Sequence, residues 1–272
     1  MFQRLKDKIK SKLIREIIKP VFISDVPNKL LLNKTALVSG GSSGIGLGIA
    51  KKMSESGCKV IVMGRNENKL KQVSADIKGD YVVIDISNIK ELETRIGELL
   101  KDTRIDILVN SAGINGNDKF GHITEDGWNE VINVNVRGLY FLSQYIANHM
   151  IEQHINGHIL NISSASSLKP SWTPYEISKR SVDGITRGMA HKLIQHGIVV
   201  NGLAPGPTAT PMLKFDKPED INLKWPGNPS GRMSTVEEIA NLSIFMVSSL
   251  GDGIVGDTFF MTGGSGTVCI DK

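Results

Sequence analysis

From Lys34 onward, short apolar runs alternate with longer amphipathic stretches. The apolar runs cover 35–39, 59–63, 81–84, 105–109, 158–162, 198–202 and 257–261, and they are rich in Val, Ile and Leu. Such short runs, separated by helical stretches, read as strands buried on both faces. The stretches 44–56, 66–77, 88–101, 127–153, 174–196 and 235–248 carry apolar residues at helical spacing. Strand–helix alternation of this kind predicts an α/β architecture: a doubly wound, seven-stranded parallel sheet with helices on both faces, in three layers.

The first 33 residues stand apart. Phe2, Leu5, Ile9, Leu13 and Ile17 fall on one face of a helix over 2–18, which Pro20 stops. Residues 20–33 then read as a linker. The expected organisation is an N-terminal arm and linker over 1–33 and a single domain over 34–272.

Composition narrows the class. The chain has 272 residues, 40% of them hydrophobic and 22% charged, which suits a folded soluble protein and excludes collagen-like or largely disordered readings. No run of apolar residues is long enough to span a bilayer. Two cysteines, Cys58 and Cys269, cannot build a disulfide framework. With no secretory leader pattern in the arm, the expected location is cytoplasmic. The formal net charge of +4 is unevenly placed: residues 1–19 carry +5, leaving −1 for the rest. The near-neutral body gives no sign of a nucleic-acid surface. The basic arm permits contact with an anionic membrane surface, but docking on its own or a neighbouring subunit is the favoured reading. None of the six histidines has zinc-ligand spacing, so no metal site is expected. No G-x-S-x-G elbow points to a hydrolase.

The chemistry begins where the first strand meets the first helix. Ser39-Gly-Gly-Ser-Ser-Gly-Ile-Gly46 lies at that junction, with Gly40, Gly44 and Gly46 in G-x-x-x-G-x-G spacing. A glycine-rich run alone is only a turn. At a strand-to-helix junction, it lets a pyrophosphate approach the free N–H groups of the helix N-terminus. Two further motifs follow in order: Asn161-Ile-Ser-Ser-Ala-Ser-Ser167 at the end of a strand, and Tyr175-Glu-Ile-Ser-Lys179 on a helix. Residues four apart share a helix face, so the phenol and the ammonium can meet at one site. The positive charge is expected to lower the phenol's pKa.

Over about 33–266 the chain resembles the single-domain short-chain dehydrogenase/reductase family. That resemblance implies a Rossmann-type fold and NAD(P)(H)-dependent interconversion of a carbonyl and a secondary alcohol. It implies cofactor contacts from Gly40, Ser42, Ser43, Gly44, Ile45 and Gly46, with Ser39 in place of the usual Thr. Asp85 and Ile86 match the adenine-contacting pair. Asn110, Ala112 and Gly113 belong to the Asn-Asn-Ala-Gly signature, here with Ser111. Pro205, Gly206, Thr208 and Thr210 match the loop that brackets the nicotinamide. Tyr175 and Lys179 are implied as catalytic and cofactor-binding residues, and Ser164 as the serine that polarises the carbonyl. Asn135 is implied to help hold a water beside the lysine. The Ser164–Tyr175 spacing of 11 is about two residues shorter than usual, which leaves Ser163 and Ser166 as rivals. Gly64 stands where NAD-preferring relatives carry Asp, and Arg65 follows, so NADP(H) is favoured over NAD(H).

Two other readings use the same residues: a nucleotide-sugar epimerase or dehydratase, and a non-catalytic cofactor-sensing protein. Retention of both Tyr175 and Lys179 disfavours the second. Residues 205–234 are too short for the substrate domain of the first. The candidate lid, 207–232, carries Met212, Leu213, Phe215 and Trp225; with Leu168 and Trp172 it suggests a partly apolar pocket for a small carbonyl or alcohol. A homotetramer or homodimer is expected, paired through the helices near 127–153 and 174–196 and the last strand.

Overall fold

The computed structural model describes residues 29–116, 119–213 and 222–269. Seven strands form one sheet: β1 (Thr35–Ser39), β2 (Lys59–Gly64), β3 (Asp80–Val83), β4 (Ile107–Asn110), β5 (His158–Ile162), β6 (Val199–Pro205) and β7 (Thr258–Met261). Their order is β3-β2-β1-β4-β5-β6-β7, and every neighbouring pair is parallel. The expected fold class is present. The chain order reverses between β1 and β4, the switch point where open sheets of this kind bind ligands.

The covering helices are α1 (Gly44–Glu55), α2 (Glu67–Asp76), α3 (Ile89–Asp102), α4 (Glu125–Ile132), α5 (Leu139–Glu152), α6 (Pro174–Leu193) and α7 (Val236–Met246). One expectation changes here. The single helix read over 127–153 is two α-helices joined by a π-helical segment, Asn133–Gly138. A π turn widens the backbone by one residue, a local device frequent at functional sites, and this one holds Asn135.

Side-chain alternation along the strands divides the interior in two. Ala36 and Val38 of β1, with Val60 and Val62 of β2, join Ile49 and Met53 of α1, Leu70 of α2 and Ile239 and Ile244 of α7. Leu37, Ile61 and Met63 point the other way, onto Leu92 and Ile96 of α3 and Leu142 and Ile146 of α5. Strands with two buried faces need apolar residues at every position, which is why they read as continuous runs. Leu31 is buried in the first of these cores and its N–H donates to the Ser56 carbonyl, so packing of the body begins within the segment read as linker. The helix read over 2–18 and residues 214–221 of the candidate lid lie outside the described residues. Among the described residues, no helix is long and apolar enough to cross a membrane.

At the amino edge of the sheet, Asp106 ties β1 to β4. Its carboxylate accepts from the Thr35 N–H at 3.0 Å and from Arg104 Nε at 3.0 Å and Nη2 at 2.8 Å, with Lys34 Nζ 3.7 Å away. The aspartate is buried while both cations reach solvent. Removing it leaves the Thr35 amide without its acceptor. Asp106→Ala is therefore expected to destabilise the fold by about 2 kcal/mol, read by urea denaturation. A change near zero would mean that the amide finds another acceptor.

Candidate active site

The carboxyl edge of the sheet collects the motif residues. Ser39 ends β1, and its hydroxyl donates to the Val109 carbonyl at 3.3 Å and accepts from the N–H groups of Ser111 and Ala112, both at 3.2 Å. One hydroxyl thus joins the loop after β1 to the loop after β4. Gly40 has φ +68°, and a Cβ there would stand 2.8 Å from the Ala112 backbone, so only glycine fits. A Cβ on Gly46 would meet the Gly40 carbonyl oxygen at 2.4 Å. The two glycines bring loop and helix backbone close together beside an open N-terminus. Ser43 precedes α1 without a side-chain capping bond, whereas Asn66, Asn88, Thr124 and Thr235 cap α2, α3, α4 and α7 with theirs. Gly44 and Ile45 open α1, whose first N–H groups have no side-chain cap from Ser43.

Ser42 lies beside the end of β2, its hydroxyl 3.6 Å from where a Cβ on Gly64 would stand. Arg65 follows; its guanidinium is largely exposed and lies 4.0 Å from the Asp85 carboxylate. Asp85 also accepts from the Ser87 N–H at 2.9 Å and hydroxyl at 2.7 Å, while Ile86 is buried in the second core. On the other side, Pro205 ends β6. Thr208 is buried, donating to the Gly206 carbonyl at 3.0 Å, and Thr210 donates to the Thr208 carbonyl at 3.3 Å. Thr210 also lies against Gly44, so the loop after β6 abuts the glycine-rich loop.

Asn110 behaves differently from its motif neighbours. Its amide donates to Ser143 Oγ and to Asn161 Oδ1, both at 2.8 Å, and Asn161 in turn donates to Thr186 Oγ1 at 3.0 Å. The side chain is buried in this network at the carboxyl end of β4. Gly113 lies between two motif residues. A Cβ there would stand 3.4 Å from Asn135 Oδ1 and 3.5 Å from Lys179 Nζ.

Asn135, on the π segment, is buried and fully engaged. Its Oδ1 accepts from the Ile114 N–H at 2.9 Å; its Nδ2 donates to the Ile114 carbonyl at 2.9 Å and to Ser178 Oγ at 3.0 Å. Lys179 is buried on α6, and its Nζ donates to the Ile162 carbonyl at 2.9 Å. Burial pulls its pKa down to about 8, against the opposing charge of Asp183. The ammonium lies 5.9 Å from the centre of the Tyr175 ring. The expected lowering of the Tyr175 phenol is not found. Burial raises its pKa and Glu176 adds to the rise, while a hydrogen bond with the Ser164 hydroxyl opposes both.

The three serines separate by direction. Ser163 is buried, its hydroxyl donating to Asp183 Oδ1 at 2.5 Å. Ser164 faces the other way, toward Tyr175, and its Oγ accepts from the Ser166 N–H at 3.1 Å. The short link to Tyr175 is drawn in by a 3-10 turn, Ala165–Leu168, and by Arg180, which donates to the carbonyls of Ser167 and Lys169, both at 3.1 Å. Arg180 and Asp183 carry no motif, and only their positions on the Tyr175 helix could have drawn attention to them. Leu168, Trp172, Met212, Leu213 and Trp225 are exposed apolar residues among the described parts of the site. No metal-binding cluster occurs among the described residues.

A family model described as short chain dehydrogenase matches residues 34–220. A 3-oxoacyl-(acyl-carrier-protein) reductase of Chlamydia muridarum is 33% identical over 247 residues, 87% of this chain and 99% of its own. A gluconate 5-dehydrogenase of Gluconobacter oxydans is 32% identical, covering 84% and 93%. Among solved structures, a gluconate 5-dehydrogenase from Burkholderia cenocepacia, in complex with NADP and tartrate, superposes with a TM-score of 0.81 at 30% identity, over 89% of this chain and 99% of that one. The chain belongs to the short-chain dehydrogenase/reductase family and is an oxidoreductase of CH–OH and C=O groups.

Proposed function

We propose that the protein is an NADP(H)-preferring oxidoreductase that interconverts a small-molecule carbonyl and its secondary alcohol, with Ser164, Tyr175, Lys179 and Asn135 as its reacting centre. The observation that carries this reading is the convergence of the Ser164 hydroxyl on Tyr175, with the buried Lys179 ammonium behind the ring. Gly40 and Gly46, where an added Cβ would strike the chain's own backbone, draw the loop against the start of α1, and the uncapped α1 N-terminus fits the pyrophosphate of such a cofactor. A bound nicotinamide cofactor supplies or accepts the hydride. Ser164 donates a hydrogen bond to the substrate oxygen, and Tyr175 gives that oxygen a proton in reduction or takes it in oxidation. Lys179 presents its ammonium to the cofactor ribose. The Asn135 side chain fixes the Ile114 backbone to α6 through Ser178, and the Asn135 main chain would help hold a water beside Lys179.

The apolar residues around the cleft suit a substrate with some hydrocarbon surface. Between Pro205 and Ser234 the described residues form only a 3-10 turn, Pro211–Leu213, and two isolated bridges, which is unlike the substrate domain an epimerase needs. A homodimer or homotetramer built on the helices over 125–152 and 174–193 completes the reading, together with a cytoplasmic location.

Replacing the phenol tests the chemistry. Tyr175→Phe should lower kcat by about 10³-fold or more while leaving NADPH binding, read by fluorescence titration, within about twofold. Turnover close to wild type would refute the assignment.

Cofactor choice is tested separately. Arg65 faces Asp85 at 4.0 Å, an exposed pair that a phosphate can displace. The ratio of kcat/KM for NADPH over NADH should exceed about tenfold, and Arg65→Ala should reduce that ratio by about tenfold, chiefly through KM for NADPH. A native preference for NADH would overturn the cofactor assignment.

A further inference from the structure

α6 buries Ser178, Lys179, Val182, Asp183, Thr186 and Ala190. This face packs on the sheet, where apolar residues are the rule, yet it carries two ionisable groups one turn apart. Lys179 has a place in the proposed chemistry; Asp183 has none. A carboxylate withdrawn from water costs several kcal/mol unless charge and hydrogen bonds compensate it. Asp183 has both. The Ser163 hydroxyl donates to its Oδ1 at 2.5 Å, and Lys179 lies one turn away on the same face. The Lys179 carbonyl is 3.2 Å from the same Ser163 oxygen. Phenol, ammonium and carboxylate therefore follow one another along a single helix face at Tyr175, Lys179 and Asp183.

We propose that Asp183 is a positioning residue of this centre: its buried carboxylate holds Lys179 as an ammonium ion and, through Ser163, holds the end of β5 so that Ser164 faces Tyr175. This rests on the reading of Tyr175 and Lys179 as the reacting pair. The surroundings of Lys179 leave the task to Asp183. The end of β5 contributes the Ile162 carbonyl, the next residue is the neutral Ser163, and the π segment contributes the neutral Asn135 beside Gly113. On its own helix, Tyr175 keeps its proton, and Glu176 acts on the phenol. Among the described residues, Asp183 is the only charge that acts appreciably on Lys179. The backbone alone could not do the same, because a single carbonyl is weak compensation for an ammonium removed from water.

The sign of the effect follows. Lys179 is charged below about 8 and loses its proton as pH rises through that value. Cofactor affinity that depends on the ammonium should fall over the same range. Removing the Asp183 charge makes the ammonium harder to keep, so the fall should move to lower pH.

The test is NADPH affinity by fluorescence titration from pH 6 to 10, beside kcat/KM profiles, for wild type, Asp183→Asn and Ser163→Ala. Asp183→Asn still accepts from Ser163 but carries no charge. Its alkaline limb should move down by at least about 0.5 unit, which weakens NADPH about twofold at pH 8 and about threefold at pH 9 and leaves affinity near wild type at pH 6. Ser163→Ala keeps the charge, so its limb should move less than half as far. Should Asp183→Asn fail to fold, Asp183→Thr carries the same comparison. Superimposable profiles for wild type and the charge-free variant would overturn the proposal, as would an equal shift in Ser163→Ala, since packing alone would then explain it. Tyr175→Phe in the same series keeps the two readings apart: turnover in that variant refutes the reacting pair, whereas a dead Tyr175→Phe with an unmoved Asp183→Asn limb refutes only the role of Asp183.

Discussion

Parallel strands joined by right-handed crossovers must all finish on the same edge of their sheet. In this chain that requirement places the ends of β1, β2, β4, β5 and β6 along one line. Ser39, Arg65, Asn110, Ser164 and Pro205 are far apart in sequence, but each lies at or just beyond the end of one of these strands. The reversal of strand order between β1 and β4 opens the edge there, because the loops after those two strands lead to helices on opposite faces. Ser39 closes the base of that opening with one hydroxyl shared among three backbone groups.

An edge that gathers polar loops also buries polar side chains, and each needs a partner. Much of the interior just beneath the cleft is a hydrogen-bonded layer. Ser143, Asn110, Asn161 and Thr186 run across it from α5 through β4 and β5 to α6. Ser163, two residues after Asn161 and just beyond the end of β5, extends the pattern to Asp183. The donors of this layer are paired, although Asn110 Oδ1 is buried without a partner, and such bonds fix relative positions more tightly than apolar contacts, since a displaced donor loses its acceptor outright. Ile114 and Ser178 are held to Asn135 in the same way, and the Ser178 hydroxyl donates in turn to the Tyr175 carbonyl. The cleft wall is therefore set by hydrogen bonds, and the sheet beneath it by packing.

This division explains what could be read from sequence. Packing leaves a periodic signature, so strands, helices and their alternation were legible, as was the glycine-rich junction that needs a positive φ at Gly40. The hydrogen-bonded layer has no period. Nothing in Asn133–Gly138 distinguishes a π segment from an α-helix, since the extra residue is accommodated by backbone geometry. The choice among Ser163, Ser164 and Ser166 depends on which face of the sheet each side chain meets, and a shortened loop obscures that register. Asp183 reads as an ordinary helix residue until its burial is seen. Burial dominates the Tyr175 phenol and raises it, and the group that opposes the rise is the Ser164 hydroxyl rather than the Lys179 ammonium 5.9 Å from the ring.

That sign bears on the direction of the proposed reaction. A phenol raised above its ordinary value holds its proton throughout the neutral range, and a protonated phenol is the form that reduction of a carbonyl consumes. Oxidation would begin from the phenolate, and each unit of upward shift adds about 1.4 kcal/mol to the cost of forming it. The Ser164 hydrogen bond recovers part of that cost, since it favours the charged form. Lys179 moves in the opposite sense, toward its neutral form, and among the described residues Asp183 is the charge that restrains it. On this mechanism the two shifts work against oxidation together, one by retaining the proton on the acid and the other by weakening the charge that would stabilise its removal. Under the proposed mechanism the protonated phenol is the proton-donating form of the centre at neutral pH.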